Sequence, residues 1–157
     1  MTDYVKSIRA HVGHACIMLC GASVIVENAD GEILLQLRSD NGCWGYAGGG
    51  VEIDESTEDT ARRELFEETG LTALELKLYG VFSGKDHHYV YPNGDEVSIV
   101  DVVYVCDKYT GALRTDGNET ADLRFFKPSE LPDNLSPPIA QTLRDYAEMR
   151  VKGASGE

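Results

Sequence analysis

Residues 49–71 read Gly-Gly-Val-Glu-Ile-Asp-Glu-Ser-Thr-Glu-Asp-Thr-Ala-Arg-Arg-Glu-Leu-Phe-Glu-Glu-Thr-Gly-Leu, and the fold follows from this stretch. Ser56 is an N-cap residue with acids in the turn after it, and Gly70 is a stop, so residues 56–69 are predicted to be helical. At 3.6 residues per turn, Glu64, Glu67 and Glu68 fall at i, i+3 and i+4, within an arc of roughly 100°. Three carboxylates are thus expected on one patch. Ala61 and Leu65 border that arc on one side, which sets the acids beside the buried flank of the helix. Arg63 borders it on the other side, where it can pair with Glu67 and fix its rotamer. Like charges at this spacing repel, and more so when partly buried. No lysine lies between Glu52 and Leu76 to neutralise them. Divalent cations with oxygen ligands would do so. An acidic surface helix is the other reading, and geometry alone leaves both open.

Working outward, residues 15–27 read as a strand, Asp30-Gly31 as a tight hairpin turn and Glu32–Arg38 as the returning strand. A glycine-rich loop follows from Gly42 to Gly50. Beyond the helix, residues 71–82 and 97–109 read as strands, separated by a polar loop that holds Asp86, His87, His88 and the turn Pro92-Asn93-Gly94-Asp95. A short strand is expected over Leu123–Phe126. Ser136 then caps a last helix that starts at Pro137 and buries Ile139, Leu143 and Tyr146. Strands with one central and one terminal helix indicate an α/β fold, a mixed β-sheet sandwiched by helices. No repeat, low-complexity stretch or linker divides the chain, so a single domain over 1–157 is expected, with its core at about 15–150.

The 157 residues carry 14 Lys plus Arg against 27 Asp plus Glu, a net charge of −13. A sequence-independent hold on nucleic acid is therefore not expected, because such binding rests on cations that neutralise phosphates. A small anionic substrate stays open, since a bound divalent cation supplies positive charge locally. The cysteines, Cys16, Cys20, Cys43 and Cys106, form no CxxC pair. They are read as buried free thiols in a reducing, cytoplasmic setting. Lys6 and Arg9 ahead of the apolar run 15–26 imitate a signal peptide. That reading is set aside because the run is rich in β-branched residues and leads into a turn and a second apolar run. Twelve residues are also too few to span a bilayer.

From Gly49, through Glu55, to Arg63-Glu64-Leu65 and Glu67-Glu68-Thr69-Gly70-Leu71, the stretch resembles the Nudix box at every one of its fixed positions. The resemblance to the Nudix hydrolases (MutT-like) extends over about residues 20–150. It takes in Leu34-Leu35-Gln36-Leu37-Arg38, Trp44, a Gly-Gly, Arg124-Phe125-Phe126 and Glu130-Leu131-Pro132. One departure is Ala47, where relatives often carry proline, and a looser loop before Gly48 is expected from it. The resemblance implies an α/β/α sandwich and a cytoplasmic pyrophosphohydrolase dependent on Mg²⁺ or Mn²⁺. It implies Glu64, Glu67 and Glu68 as metal ligands, with the Gly48 carbonyl a further one. Glu55, Arg63 and Gly49 would hold loop and helix together, with Arg63 supporting catalysis. Glu119 stands where MutT-like members carry a catalytic base, with Glu67 or Glu68 as the alternative and an ordinary turn acid as the bland reading.

Arg38 is read as a phosphate contact, because arginine recognises phosphate bidentately, with a plain strand end at the surface as the other reading. Tyr89 and Tyr91 are read as able to stack on a base or sugar, with Tyr89 taken as the substrate contact, although alternating aromatics equally suit strand packing. His87 and His88 are taken as idle loop histidines, and Cys43 as packing. The implied substrate is a small nucleoside diphosphate derivative. Nucleotide sugars including ADP-ribose stand ahead of nucleoside triphosphates and dinucleoside polyphosphates, and no nucleic acid or membrane partner is implied. A homodimer is left open. The alternative function is a catalytically silent Nudix-like domain that senses a nucleotide. A plain Ca²⁺-binding domain is disfavoured because no EF-hand loop is present.

Overall fold

A computed structural model describes residues 3–156; residues 1, 2 and 157 of the expected domain lie outside the described residues. The elements run in the order α1 (Asp3–Val12), β1 (Ile17–Val26), β2 (Ile33–Arg38), β3 (Trp44–Gly45), β4 (Ala47–Gly50), α2 (Thr57–Thr69), β5 (Thr72–Phe82), β6 (His88–Val90), β7 (Glu96–Thr110), β8 (Thr120–Phe126) and α3 (Pro137–Ser155). β1 and β7 pair in parallel at the centre of a mixed sheet ordered β4-β1-β7-β5, and β6 adds antiparallel to β7. β3, β2 and β8 form a second, antiparallel sheet.

Alternation along β1 divides the core into two layers. Ala22, Val24 and Val26 pack with Ala61 and Leu65 of α2, whereas Ile25 packs with Val103, Leu143 and Tyr146 on the α3 side. The mixed sheet is therefore sandwiched by helices, as the order of elements implies. α2 begins where expected: the Ser56 side chain accepts the Asp59 N–H at 3.1 Å, and Gly70 closes the helix with φ 82° and its N–H on the Phe66 carbonyl. Ser136 occupies the N-cap of α3 but makes no side-chain capping bond; Pro137 starts the helix.

Five expectations are corrected. The chain does turn at Gly31, but β1 and β2 meet only at a bridge between Glu27 and Ile33. Both edges of β1 are taken, by β4 and β7, so β2 leaves for the second sheet. The glycine-rich stretch is not all loop, since it contributes β3 and β4. Ala47, expected in a loosened loop, is buried in β4 opposite Val24. Cys106 is buried, but Cys16 and Cys20 are exposed, and all four thiols are free. His87 is buried, stacked on Phe82, with Nε2 3.4 Å from Thr142 Oγ1.

Helix α1 was not anticipated. Its signals are weak, Val5 as its buried residue and Gly13 in the left-handed region after its last turn. Its N-terminus is capped from far along the chain, where the Glu52 carboxylate accepts the N–H groups of Asp3 (2.9 Å) and Tyr4 (3.2 Å). Among the described residues, no helix is long and apolar enough to cross a membrane.

Candidate active site

A cavity of about 710 Å³ lies among the glycines of β4, the acidic face of α2, the end of β2, the turn before β8, and α1 with the turn before β7. α2 lines it with Arg63, Glu64, Glu67 and Glu68, and β4 with Gly48, Gly49 and Gly50. Both Gly48 and Gly49 are needed for this approach. A Cβ at Gly48 would run into the side chain of Ser23, and one at Gly49 into the carboxylate of Glu64.

The acids differ sharply in environment. Glu68 is 7% exposed, the Glu64 side chain is partly buried at 12% exposed and Glu67 is open to solvent. Glu68 Oε2 accepts the Gly48 N–H at 2.9 Å. Burial, and then the charge of Glu64, push the Glu68 carboxyl well above the usual carboxylate range, against the Gly48 N–H, Arg38 and Gln36. Burial likewise raises Glu64, helped by the charges of Glu67 and Glu119 and opposed by Arg63.

Arg63 organises this wall. It donates through Nε to Glu55 Oε2 (2.8 Å), through Nη2 to Glu55 Oε1 (2.9 Å), and through Nη1 to Glu64 Oε1 (2.8 Å) and Glu67 Oε2 (3.4 Å). Thr60 Oγ1 also donates to Glu55. With the Arg63 guanidinium beside it, the Glu55 carboxyl is lowered to about 2. Glu55 itself does not line the cavity, so it acts through Arg63. The pairing expected between Arg63 and Glu67 exists but is the longest of the set.

Glu64, Glu67 and Glu68 share a wall without each bringing an oxygen to within 4.8 Å of the other two; among the described residues only Cys16, His88 and Glu96 form a set of three that close. Buried Glu68, partly buried Glu64 and exposed Glu67 bring three acids to a wall where Arg63 is the cation that bonds Glu64 and Glu67 directly, which leaves negative charge uncompensated. That donor set fits hard divalent cations, which take oxygen ligands.

Arg38 also lines the cavity and is held bidentately by Asp40, Nε to Oδ1 at 3.0 Å and Nη2 to Oδ2 at 2.8 Å. Glu119 lines it beside Asn118, in a turn where the Asp116 carboxylate accepts the N–H groups of Asn118, Glu119 and Thr120. Tyr89 does not reach the cavity wall. Its hydroxyl accepts from Asn41 at 3.2 Å and its ring stands edge-on to Tyr91, which does line the cavity. Of the two tyrosines read as able to stack on a base or sugar, Tyr91 lines the cavity and Tyr89 stands behind it. Sequence reasoning missed Val5, Arg9, Glu52, Asn93 and Asp95 on the far wall. The Asn93-Gly94-Asp95 turn was visible as a turn, but nothing in the sequence ties it to α1.

The NUDIX domain model matches residues 20–146. A putative 8-oxo-dGTP diphosphatase from Bacillus subtilis is 33% identical over 80% of this chain and 78% of its own length. An ADP-ribose pyrophosphatase from Methanocaldococcus jannaschii is 35% identical over 74% of this chain and 66% of its own. The crystal structure of a MutT NUDIX hydrolase from Burkholderia pseudomallei superposes with a TM-score of 0.69 at 28% identity, covering 82% of this chain and 97% of that one.

Proposed function

The chain belongs to the Nudix hydrolase family, and from that premise we propose that it cleaves the pyrophosphate linkage of a small nucleoside diphosphate derivative, in a reaction that requires Mg²⁺ or Mn²⁺. One observation carries this reading: partly buried Glu64 and buried Glu68 share a cavity of about 710 Å³ with Arg38, so anionic and cationic groups line one space of the size small ligands occupy. A divalent cation bound there neutralises phosphate charge and makes a bound water more acidic. Glu64, Glu67 and Glu68 are the residues proposed to hold it, with the Gly48 carbonyl.

The chain's own groups do the rest. Arg63, anchored by Glu55, keeps Glu64 and Glu67 at their posts, and Gly48 and Gly49 let the backbone come close to the acids. Glu119 is proposed to take the proton of the attacking water. Arg38 binds a phosphate after exchanging Asp40 for it, a swap of one bidentate partner for another. Tyr91, with Val5, Leu19 and Val97 nearby, offers an apolar and aromatic wall for a base or sugar. Tyr89 supports that wall through its contact with Tyr91.

The two relatives named above act on different classes, so they do not choose the substrate. We rank nucleotide sugars including ADP-ribose ahead of nucleoside triphosphates and dinucleoside polyphosphates. A net charge of −13 disfavours nucleic acid ends, because it repels a polyanion beyond its first phosphates. Four free thiols suit a reducing, cytoplasmic setting. The test is kcat/KM for each class in Mg²⁺ at physiological salt. A clear preference for a nucleotide sugar supports the ranking. A preference for capped or 5′-triphosphorylated RNA overturns the substrate reading, and no phosphate release from any compound overturns the enzymatic one.

A further inference from the structure

Outside the cavity, the residue before β1 and the strands β6 and β7 bring a thiol, an imidazole and a carboxylate together. β1 runs parallel to β7 with Ile17 beside Val97, which sets Cys16 next to Glu96. β6 runs antiparallel to β7 with His88 beside Ser98. Side chains alternate along a strand, so Glu96 and Ser98 rise from the face opposite buried Val97, and His88 joins them there. One ligand atom each of Cys16, His88 and Glu96 lies within 4.8 Å of the other two. His88 Nε2 and Glu96 Oε1 are 2.7 Å apart. An ordinary ion pair accounts for that last contact, but not for a free thiol from the α1–β1 junction at the same point.

The backbone beneath the cluster is held by one buried side chain. Arg9 donates to the carbonyls of Gly13 (3.0 Å), Ala15 (2.5 Å) and Glu96 (2.7 Å), which ties the residue before Cys16 to Glu96. Such support from an adjacent shell is what holds a metal site at usable geometry.

We propose that Cys16, His88 and Glu96 bind one thiophilic divalent cation of the Zn²⁺ type, with water completing the coordination. Zn²⁺ takes S, N and O ligands at roughly 2.0–2.3 Å in tetrahedral geometry, and three protein ligands plus one open position is a recurring arrangement. Tetrahedral ligands at those bond lengths stand about 3.3–3.8 Å apart, so the thiol closes in from within 4.8 Å while the 2.7 Å contact between His88 and Glu96 opens to admit the ion. Mg²⁺ prefers six oxygens and does not compete here, whereas the carboxylate-lined cavity suits it. Occupancy would link the α1–β1 junction to the β6–β7 hairpin, whose turn carries Tyr91 and Asn93 into the cavity. This site stands apart from the proposed hydrolysis, and its test reads no activity.

Co²⁺ is titrated into the full chain in excess Mg²⁺ with a non-thiol reductant. One equivalent is expected to give a near-ultraviolet thiolate-to-Co²⁺ absorption that an all-carboxylate site cannot produce, and Zn²⁺ should abolish it. Cys16→Ser should remove the band, His88→Ala should weaken Co²⁺ binding by roughly tenfold or more, and Cys20→Ser should retain both. Circular dichroism confirms that each variant is folded, and the His88 variant tests the site independently of the thiol. Absence of the band in the wild type, its persistence in Cys16→Ser, or its loss in Cys20→Ser overturns the proposal.

Discussion

Glu68 is a carboxylate in a place that burial and Glu64 make unfavourable for charge. Replacing it by Gln keeps its shape and relieves the repulsion, so Glu68→Gln should fold at least as stably as the wild type in EDTA while kcat falls by about 10²-fold or more. Glu67→Gln, on the exposed side, should show the same loss of turnover with no stability change. Near wild-type rates in both at saturating Mg²⁺ would remove these residues from the reaction. If Glu119 is the base, Glu119→Gln lowers kcat far more than it raises KM, and the acidic limb of the pH profile shifts or disappears. An unchanged limb and kcat transfer the role to Glu67 or Glu68. Glu55 makes a pH prediction of its own. Its carboxyl is depressed from 4.5 to about 2 in the folded chain, so its contribution is fully present above pH 4.5 and is lost as pH falls toward 2. The stability gap between wild type and Glu55→Gln, measured by denaturant unfolding in EDTA, should be largest near neutrality and close across that window. A constant gap would mean that Glu55 acts by packing alone.

At the scale of elements, α2 must stop at Thr69 for the chain to turn into β5. Gly70 does this with φ 82°, and a Cβ there would sit 2.6 Å from both the Ala112 carbonyl oxygen and Arg114 Cγ. Gly70→Ala is expected to cost about 2 kcal/mol from backbone strain, with the clash added to it. That lowers Tm by about 4–8 °C in a chain of this size. A calorimetric Tm within a degree of wild type would show that the turn relaxes freely. Helix α2 was legible because its cap, periodicity and glycine stop agree. The three residues of β6 and the two of β3 were not, because such short strands exist only through partners elsewhere in the chain.

For the whole molecule, a cation that binds the folded acids but not the unfolded chain stabilises by mass action. At 100 times its Kd that is about 2.7 kcal/mol, so Mg²⁺ should raise Tm by about 5–10 °C and EDTA should reverse both this and the activity. No shift with Mg²⁺ or Mn²⁺ would count against the metal assignment. The helix, its acids and the glycines before it were determined by the sequence, because they belong to one continuous stretch whose chemistry is local: capping, a 3.6-residue period and close backbone approach. Only the tertiary structure decided that β1 takes β4 and β7 as partners and sends β2 away, since strand pairing is a competition among distant segments. It likewise brought Tyr91, and not Tyr89, to the cavity. It seated α1 on Glu52, a contact across 49 residues, and gathered Cys16, His88 and Glu96 from the position before β1, from β6 and from β7. Side-chain direction in a strand flips with every residue and its neighbours are set by register, so none of these proximities is written in any one segment of the chain.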